Sequence, residues 1–313
     1  MLTVYLIIDS GAAQVARAML VVGPWLIPII LFHLIPLVFS ALSWRELISG
    51  ANRPGAFTTV WIRWIRESIN SLLPVASIGG DVASVRLAHL QGVPAREAAT
   101  SAVVDTTVGV ATQAIFVLSG VCLLLTRSTE RGALTVVWTV LIVTGLFCLG
   151  TAAFVLFQHR NLFARFAKVA RGLLPEEWRS RFAAGASALD DAIVQAYRRP
   201  RVILRAGLLR LIGWAAGAGE VWLVMHALGH PIGIVEAFVL ESLGSGVRAA
   251  AFMIPGALGA LEAGLILFGA LFGLPPDTAL AISLSKRVRE LALGVPGLLV
   301  WHWIEGHYLL RRG

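Results

Sequence analysis

The chain has 313 residues, 57% of them hydrophobic, and a mean hydropathy of +0.79. These values exclude a soluble globular domain and point to a polytopic membrane protein. The net charge is +8, and all but two (Lys168, Lys286) of the 26 basic residues are arginine. The charge sits at the edges of apolar runs, which favours anionic lipid headgroups over nucleic acid. Biased codon usage is an alternative source of the arginine excess.

Residues 1–16 form a short apolar piece interrupted by Asp9, without the basic start or A-x-A pattern of a signal peptide. The first convincing span covers about 19–43 and ends at Trp44-Arg45. Asn52 to Gly55 is a turn. Trp61, Trp64 and Ile65 then interleave with Arg63 and Arg66, as in a helix lying at a membrane interface.

Arg66 to Asp81, reading RESINSLLPVASIGGD, is long enough to enter a bilayer yet carries an ion pair, an Asn, two Ser, a Pro, a Gly-Gly and an Asp. Polar groups at membrane depth are costly and usually face a protein cavity. Broken backbone is tolerated there only where protein or a wet cavity satisfies it. The stretch therefore reads as one wall of a transport site.

Gly92-Val93-Pro94 makes the next turn. A span follows at about 96–125, with Asp105 inside it, then a loop at Arg127 to Gly132 and a span at about 134–157. Residues 158–210 hold 11 Arg or Lys against four acids. Within them Phe163, Phe166 and Val169 recur every three residues. Trp178, Phe182, Leu189, Ile193 and Tyr197 share one face of a second helix. Both helices read as amphipathic and cytoplasmic. A span at about 203–228, a mixed region at 232–272 and a segment at 277–304 complete the chain, which ends in Arg311-Arg312-Gly313.

The positive-inside rule puts the basic connection in the cytoplasm. Counting outward from it leaves both ends of 67–88 on that side. Pro74 and Gly79-Gly80 then supply the breaks of a re-entrant hairpin.

A shift of 181 residues lays Pro74 on Pro255, Ala76 on Ala257 and Asp81 on Glu262. It also lays Gly92 on Gly273, Pro94 on Pro275 and Asp105 on Lys286, without a gap. The single membrane domain thus divides into repeat one (19–125), repeat two (203–304) and a cytoplasmic amphipathic connection (158–202). An odd number of spans between the copies inverts the second one. Its broken segment, about 240–270, enters from outside, and the C-terminus lies inside. The expected fold is all-α and polytopic, with six to seven transmembrane helices and two re-entrant broken hairpins in an inverted repeat, the signature of secondary transporters.

The candidate substrate-binding residues are Arg66, Glu67, Asn70, Ser71, Pro74, Gly79, Gly80 and Asp81 in the first copy. In the second they are Glu241, Ser242, Arg248, Pro255, Gly256, Gly259 and Glu262. Asp105 and the run Lys286, Arg287, Arg289 and Glu290 sit inside the paired spans. Arg66, Arg248, Lys286 and Arg287 are suited to hold an anionic headgroup. Asp81, Asp105 and Glu262 pair with them when the site is empty, or carry protons. Half-helix N-termini after Pro74 and Pro255 add donors. The alternative is a structural ion pair, such as Asp105 or Glu262 with Arg287. His33 and His89 stand alone, and His226 with His230 lacks a third metal ligand, so no metal or other cofactor is expected. Cys122 and Cys148 lie in apolar runs as packing residues. Walker A, G-x-S-x-G and H-E-x-x-H motifs are absent, and no enzyme activity is expected.

The segments RWIRESINSLLPVASIGGD, GVPAREAATSAVVD and MIPGALGALEAG resemble the flippase-like membrane family that includes the transmembrane domain of lysylphosphatidylglycerol synthases. HLIPLVFSALSWREL is similar to the hopanoid-biosynthesis-associated branch. The resemblance implies transfer of a polar-headed lipid between leaflets of a bacterial inner membrane. Its motifs match Asn70, Leu73, Pro74, Gly79, Gly80, Asp105, Pro255, Gly256, Gly259, Glu262 and Arg287. Ala257 stands where a P-G-G-x-G version has its second glycine, and no synthase domain follows. The implied partners are membrane lipids, and the rival role is a scaffold for lipid- or hopanoid-synthesising enzymes.

Overall fold

The computed structural model describes residues 20–50, 52–73, 78–127, 176–251 and 257–310, with isolated positions between them. Pro74, Pro255 and Gly256, most of the expected span 134–157, and residues 1–16 lie outside the described residues. Every regular element described is helical. A 3-10 turn at Gly23–Trp25 leads into α1 (Leu26–Leu47). α2 (Ala56–Leu72), α3 (Gly79–Leu90) and α4 (Ala95–Arg127) follow. α5 (Glu176–Tyr197) precedes α6 (Pro200–Ala227), α7 (Ile234–Ala250), α8 (Ala260–Ala270) and α9 (Pro276–Leu310).

Three helical stretches are long and apolar enough to cross a bilayer: Leu20–Leu47, Ala95–Thr126 and Pro200–Ala227. By contrast α2 and α3 rise only about 26 and 18 Å, short of the ~30 Å of hydrocarbon. The ends of this pair meet: Asn52, just before α2, donates from Nδ2 to the carbonyl of Gly92, just after α3, at 3.2 Å.

Shifting α2, α3 and α4 by 181 residues puts their ends within three residues of those of α7, α8 and α9. The turns match too. Gly92 and Gly273, equivalent under the shift, have φ of 92° and 68° just past α3 and α8, where only glycine is unstrained. The packing follows the same exchange. α2 packs on α9 as α7 packs on α4, and α3 lies on α4 as α8 lies on α9. α1 packs on its own equivalent, α6.

That central pair is antiparallel. Ser43 Oγ donates to the carbonyl of Ala206 at one end, and His33 lies beside Glu220 at the other. Small residues permit the approach. A Cβ on Gly213 would lie 3.3 Å from the Pro36 carbonyl, and one on Gly219 would overlap the Phe32 ring.

Two sequence expectations need correction. α2 is not an interfacial helix: Ile62, Ile65, Arg63 and Arg66 are all buried, because its polar stripe meets ionised groups of other helices in place of headgroups. The C-terminal part of the apolar face of α5 likewise packs on protein. Ile193 is fully buried, and with Leu189, Ala196 and Tyr197 it packs on Val104 and Val108 of α4.

Candidate functional site

Burying a charge is tolerated only where it is paired and hydrogen-bonded. Two such clusters lie inside the helices. The first centres on Asp105 of α4, which is fully buried. Its carboxylate accepts from Arg63 Nη1 at 2.9 Å and Arg66 Nη1 at 2.5 Å, both from α2. It also accepts from Arg210 Nη2 of α6 at 3.0 Å. Arg63 Nε donates to Glu67 at 3.0 Å, and Arg66 pairs through Nε with Asp81 of α3.

The second cluster spans α6 to α9 and reaches α1. Glu220 is buried and pairs with Arg289 and with His33, whose Nδ1 lies 3.1 Å from its Oε2. Arg289 Nη1 is also 2.8 Å from that same Nδ1. Glu290 joins Arg248 at 2.7 Å to Arg287 at 3.1 Å. Lys286 Nζ donates to Glu241 at 2.5 Å. Glu262 accepts from the N–H of Gly259 at 2.7 Å, which caps α8 together with the positive φ of 81° at Gly259. Its other oxygen takes Ser283 Oγ at 3.0 Å and Arg287 Nη2 at 3.5 Å.

Together the clusters balance seven cations (Arg63, Arg66, Arg210, Arg248, Lys286, Arg287, Arg289) with seven carboxylates (Glu67, Asp81, Asp105, Glu220, Glu241, Glu262, Glu290).

A cavity of about 350 Å³ lies between the clusters. Its walls come from α1, α2, α4, α6, α7, α8 and α9, so both copies contribute. Of the sequence candidates, Arg66, Glu67, Glu241, Arg248, Lys286 and Arg289 line it. Asp81 and Asp105 stand behind the wall as partners of Arg66 and Glu290 as partner of Arg248, and Arg287 and Glu262 follow one step further through Glu290. Asn70 and Gly80 act on the hairpin itself: the N–H of Gly80 donates to Asn70 Oδ1 at 2.8 Å. A Cβ on Gly80 would sit 2.5 Å from that oxygen, so glycine is required for the crossing. Gly79 starts α3. Ser71 and Ser242 bond back to carbonyls of their own helices and are not cavity groups.

Among the wall residues that escaped the sequence reading are His33, Arg63, Arg210 and Trp214. Glu220 is another. His33 is not solitary, and Asp105 pairs with arginines of α2 and α6, not with Arg287. The signal available for Arg210 and Glu220 was their position inside the apolar run at 203–228, where an ionised group needs a partner.

Three cavity atoms keep unused hydrogen-bonding capacity among the described residues. Arg210 Nε and Trp214 Nε1, one turn apart on α6, are buried donors without an acceptor, and Glu220 Oε1 is a buried acceptor without a donor. The Trp214 ring is held by stacking on Phe116, with centroids 6.0 Å apart. The wall thus offers a bound polar group both donors and an acceptor, in surroundings where each is worth more than in water.

An all-helical core with apolar spans around a buried ionic cavity defines an integral membrane protein. Residues 1–297 match the family described as the lysylphosphatidylglycerol synthase TM region, and the chain belongs to that family. Its members are membrane regions tied to lipid metabolism. Neither the comparison with curated proteins nor that with solved structures gave a match.

Proposed function

We propose that this protein carries a polar-headed lipid, a phospholipid or a hopanoid, between the leaflets of a bacterial inner membrane, with its C-terminus in the cytoplasm. The observation that carries the reading is the cavity itself. Both halves of the chain build it, and six cationic side chains line it. A lipid headgroup is polar and its chains are not. A cavity with ionised walls inside a bundle whose outer surface exposes Leu204, Leu208, Ile212, Leu299 and Trp303 suits both parts.

In this reading α2–α3 and α7–α8 are two re-entrant hairpins of an inverted repeat that enter from opposite sides. The 181-residue correspondence of helix ends and the antiparallel packing of α1 on α6 support it. Arg45, Arg53, Arg86, Arg96 and Arg199 gather at one end of the bundle, which supports a cytoplasmic location for that end. Transport consists of exchange: an anionic headgroup takes the place of a carboxylate on a wall cation, and the released carboxylate is held by its remaining partners. Asp105, with three arginines, is arranged for such sharing.

The experiment is reconstitution of the purified protein into liposomes, with leaflet exchange of labelled phospholipids and of a labelled hopanoid followed over time. Acceleration over protein-free vesicles is expected for at least one of them. Folded, inserted protein that accelerates none removes the proposal.

A further inference from the structure

His33 is the one histidine, among the described residues, that lines the cavity. Others bond to nearby backbone: His89 Nδ1 meets the Val93 carbonyl at 3.0 Å, and His226 Nδ1 meets that of Trp222 at 2.9 Å. The two neighbours of His33 Nδ1 cannot both be satisfied by one state of the ring, tautomer or imidazolium. This nitrogen lies 2.8 Å from Arg289 Nη1, which can only donate, and 3.1 Å from Glu220 Oε2, which as a carboxylate can only accept. With a lone pair on Nδ1, the imidazole accepts from Arg289 and gives Glu220 nothing. With a proton on Nδ1, as in the neutral Nδ1–H tautomer or the imidazolium, it donates to Glu220 and opposes Arg289, and only the imidazolium adds a charge. The two arrangements share one carboxylate oxygen, because Arg289 Nη1 and His33 Nδ1 both address Glu220 Oε2.

From this geometry we infer that His33 is a proton-binding site whose occupancy is linked to the anion that the cavity takes. The inference rests on the lipid-transport reading above and names the co-substrate of the same site.

The charge balance gives the linkage its direction. With His33 neutral, the seven cations and seven carboxylates of the two clusters cancel. A proton on His33 leaves one positive charge in excess inside a low-dielectric wall, and a monoanion restores neutrality. Protonation also draws Glu220 towards the imidazole and loosens its hold on Arg289, so a guanidinium is offered to the cavity at the moment the charge demands an anion. Binding of the two is therefore mutually favourable, and by linkage each strengthens the other by the same factor.

The charged groups facing His33 come from each neighbouring helix. Those that line the cavity with it are Glu220 and Arg210 on α6, Glu67, Arg63 and Arg66 on α2, Glu241 and Arg248 on α7, and Arg289 and Lys286 on α9, with Asp105 of α4 behind Arg210. Each of these is ion-paired within the two clusters. The His33 side chain is 21% exposed, which gives a proton a path from the cavity.

The test uses the full chain in phosphatidylcholine nanodiscs. The probe is dihexanoyl phosphatidylmethanol, a phosphodiester that stays a monoanion from pH 5 to 9. Calorimetric titration in buffers of different ionisation enthalpy reads protons taken up per probe bound. The unaltered protein should take up a fraction of a proton per probe between pH 6 and 8, and should bind about tenfold more weakly at pH 8 than at pH 6. H33Q should bind without proton uptake and with a flat pH profile. Binding without uptake by the unaltered protein overturns the proton site alone. Equal uptake by H33Q overturns it as well. No binding of the probe at any pH overturns both the proton site and the anionic-headgroup reading. If H33Q does not fold, a chain keeping His33 with the other six histidines replaced by Gln gives the answer by ¹⁵N NMR. Its imidazole should become imidazolium when probe is added at pH 7, and an unchanged spectrum overturns the site.

Discussion

Replacing Asp105 with Asn tests whether the first cluster is held by charge. The side chain is fully buried and takes hydrogen bonds from Arg63, Arg66 and Arg210. Asn keeps the shape but removes the negative charge, and it turns an amide N–H towards guanidinium donors. Arg63 and Arg66 retain Glu67 and Asp81 as partners, whereas Arg210 loses its one ion pair among the described residues. Removing one partner of a buried pair costs about 3–5 kcal/mol, most of it from the charge left behind. The expected loss is therefore about 3–5 kcal/mol, read as the free energy of reversible unfolding in mixed micelles. D105N combined with R210Q should recover at least ~1 kcal/mol, because the stranded charge is gone. The exposed pair Arg86–Glu305 is the control: E305Q should change stability by no more than about 1 kcal/mol. If D105N cost no more than E305Q, the cluster would be hydrated, and a dry ionic wall would be the wrong description.

Three further outcomes follow from single contacts. G80A should destabilise by about 1–3 kcal/mol and slow lipid exchange, since its methyl would overlap Asn70 and the Arg66 carbonyl where α2 crosses α3; chemical unfolding and vesicle assays read both. W214F should leave stability within ~0.5 kcal/mol, because the lost N–H has no acceptor in the protein, yet reduce probe binding several-fold by titration. A257G should raise the unfolding midpoint, by about 0.5–1 kcal/mol in free energy, as Ala257 holds a φ of 51° that costs an L-residue but not glycine.

The helical class, the breaks near Pro74 and Gly79, and the ionisable positions in α2, α4 and α9 were legible in one dimension, because each violates what lipid permits. Partners were not. His33 and Glu220 stand 187 residues apart, and Glu220 and Arg289 stand 69 apart, so each alone is an isolated charge in an apolar run. Arg63 was misplaced for a related reason. An arginine stripe among tryptophans has the same periodicity whether it faces phosphate headgroups or the carboxylate of Asp105. The pattern reports a polar face, and only the packing of α2 on α9, which leaves its arginines within reach of Asp105, decides what that face meets. Ala257 shows the converse: the departure from the glycine pattern was visible in sequence, but its left-handed backbone was not.

The exchange packing of the helices also sets a schedule for biogenesis. Trp64 Nε1 of α2 donates to the carbonyl of Leu293 in α9 at 2.8 Å, across 229 residues of sequence. At roughly 5–20 residues per second of synthesis, α2 waits on the order of 10–50 s before that partner exists. Asp105, the partner of Arg63 and Arg66, is by contrast only about 40 residues downstream. On this order of synthesis a carboxylate able to neutralise Arg63 and Arg66 exists well before α9 does.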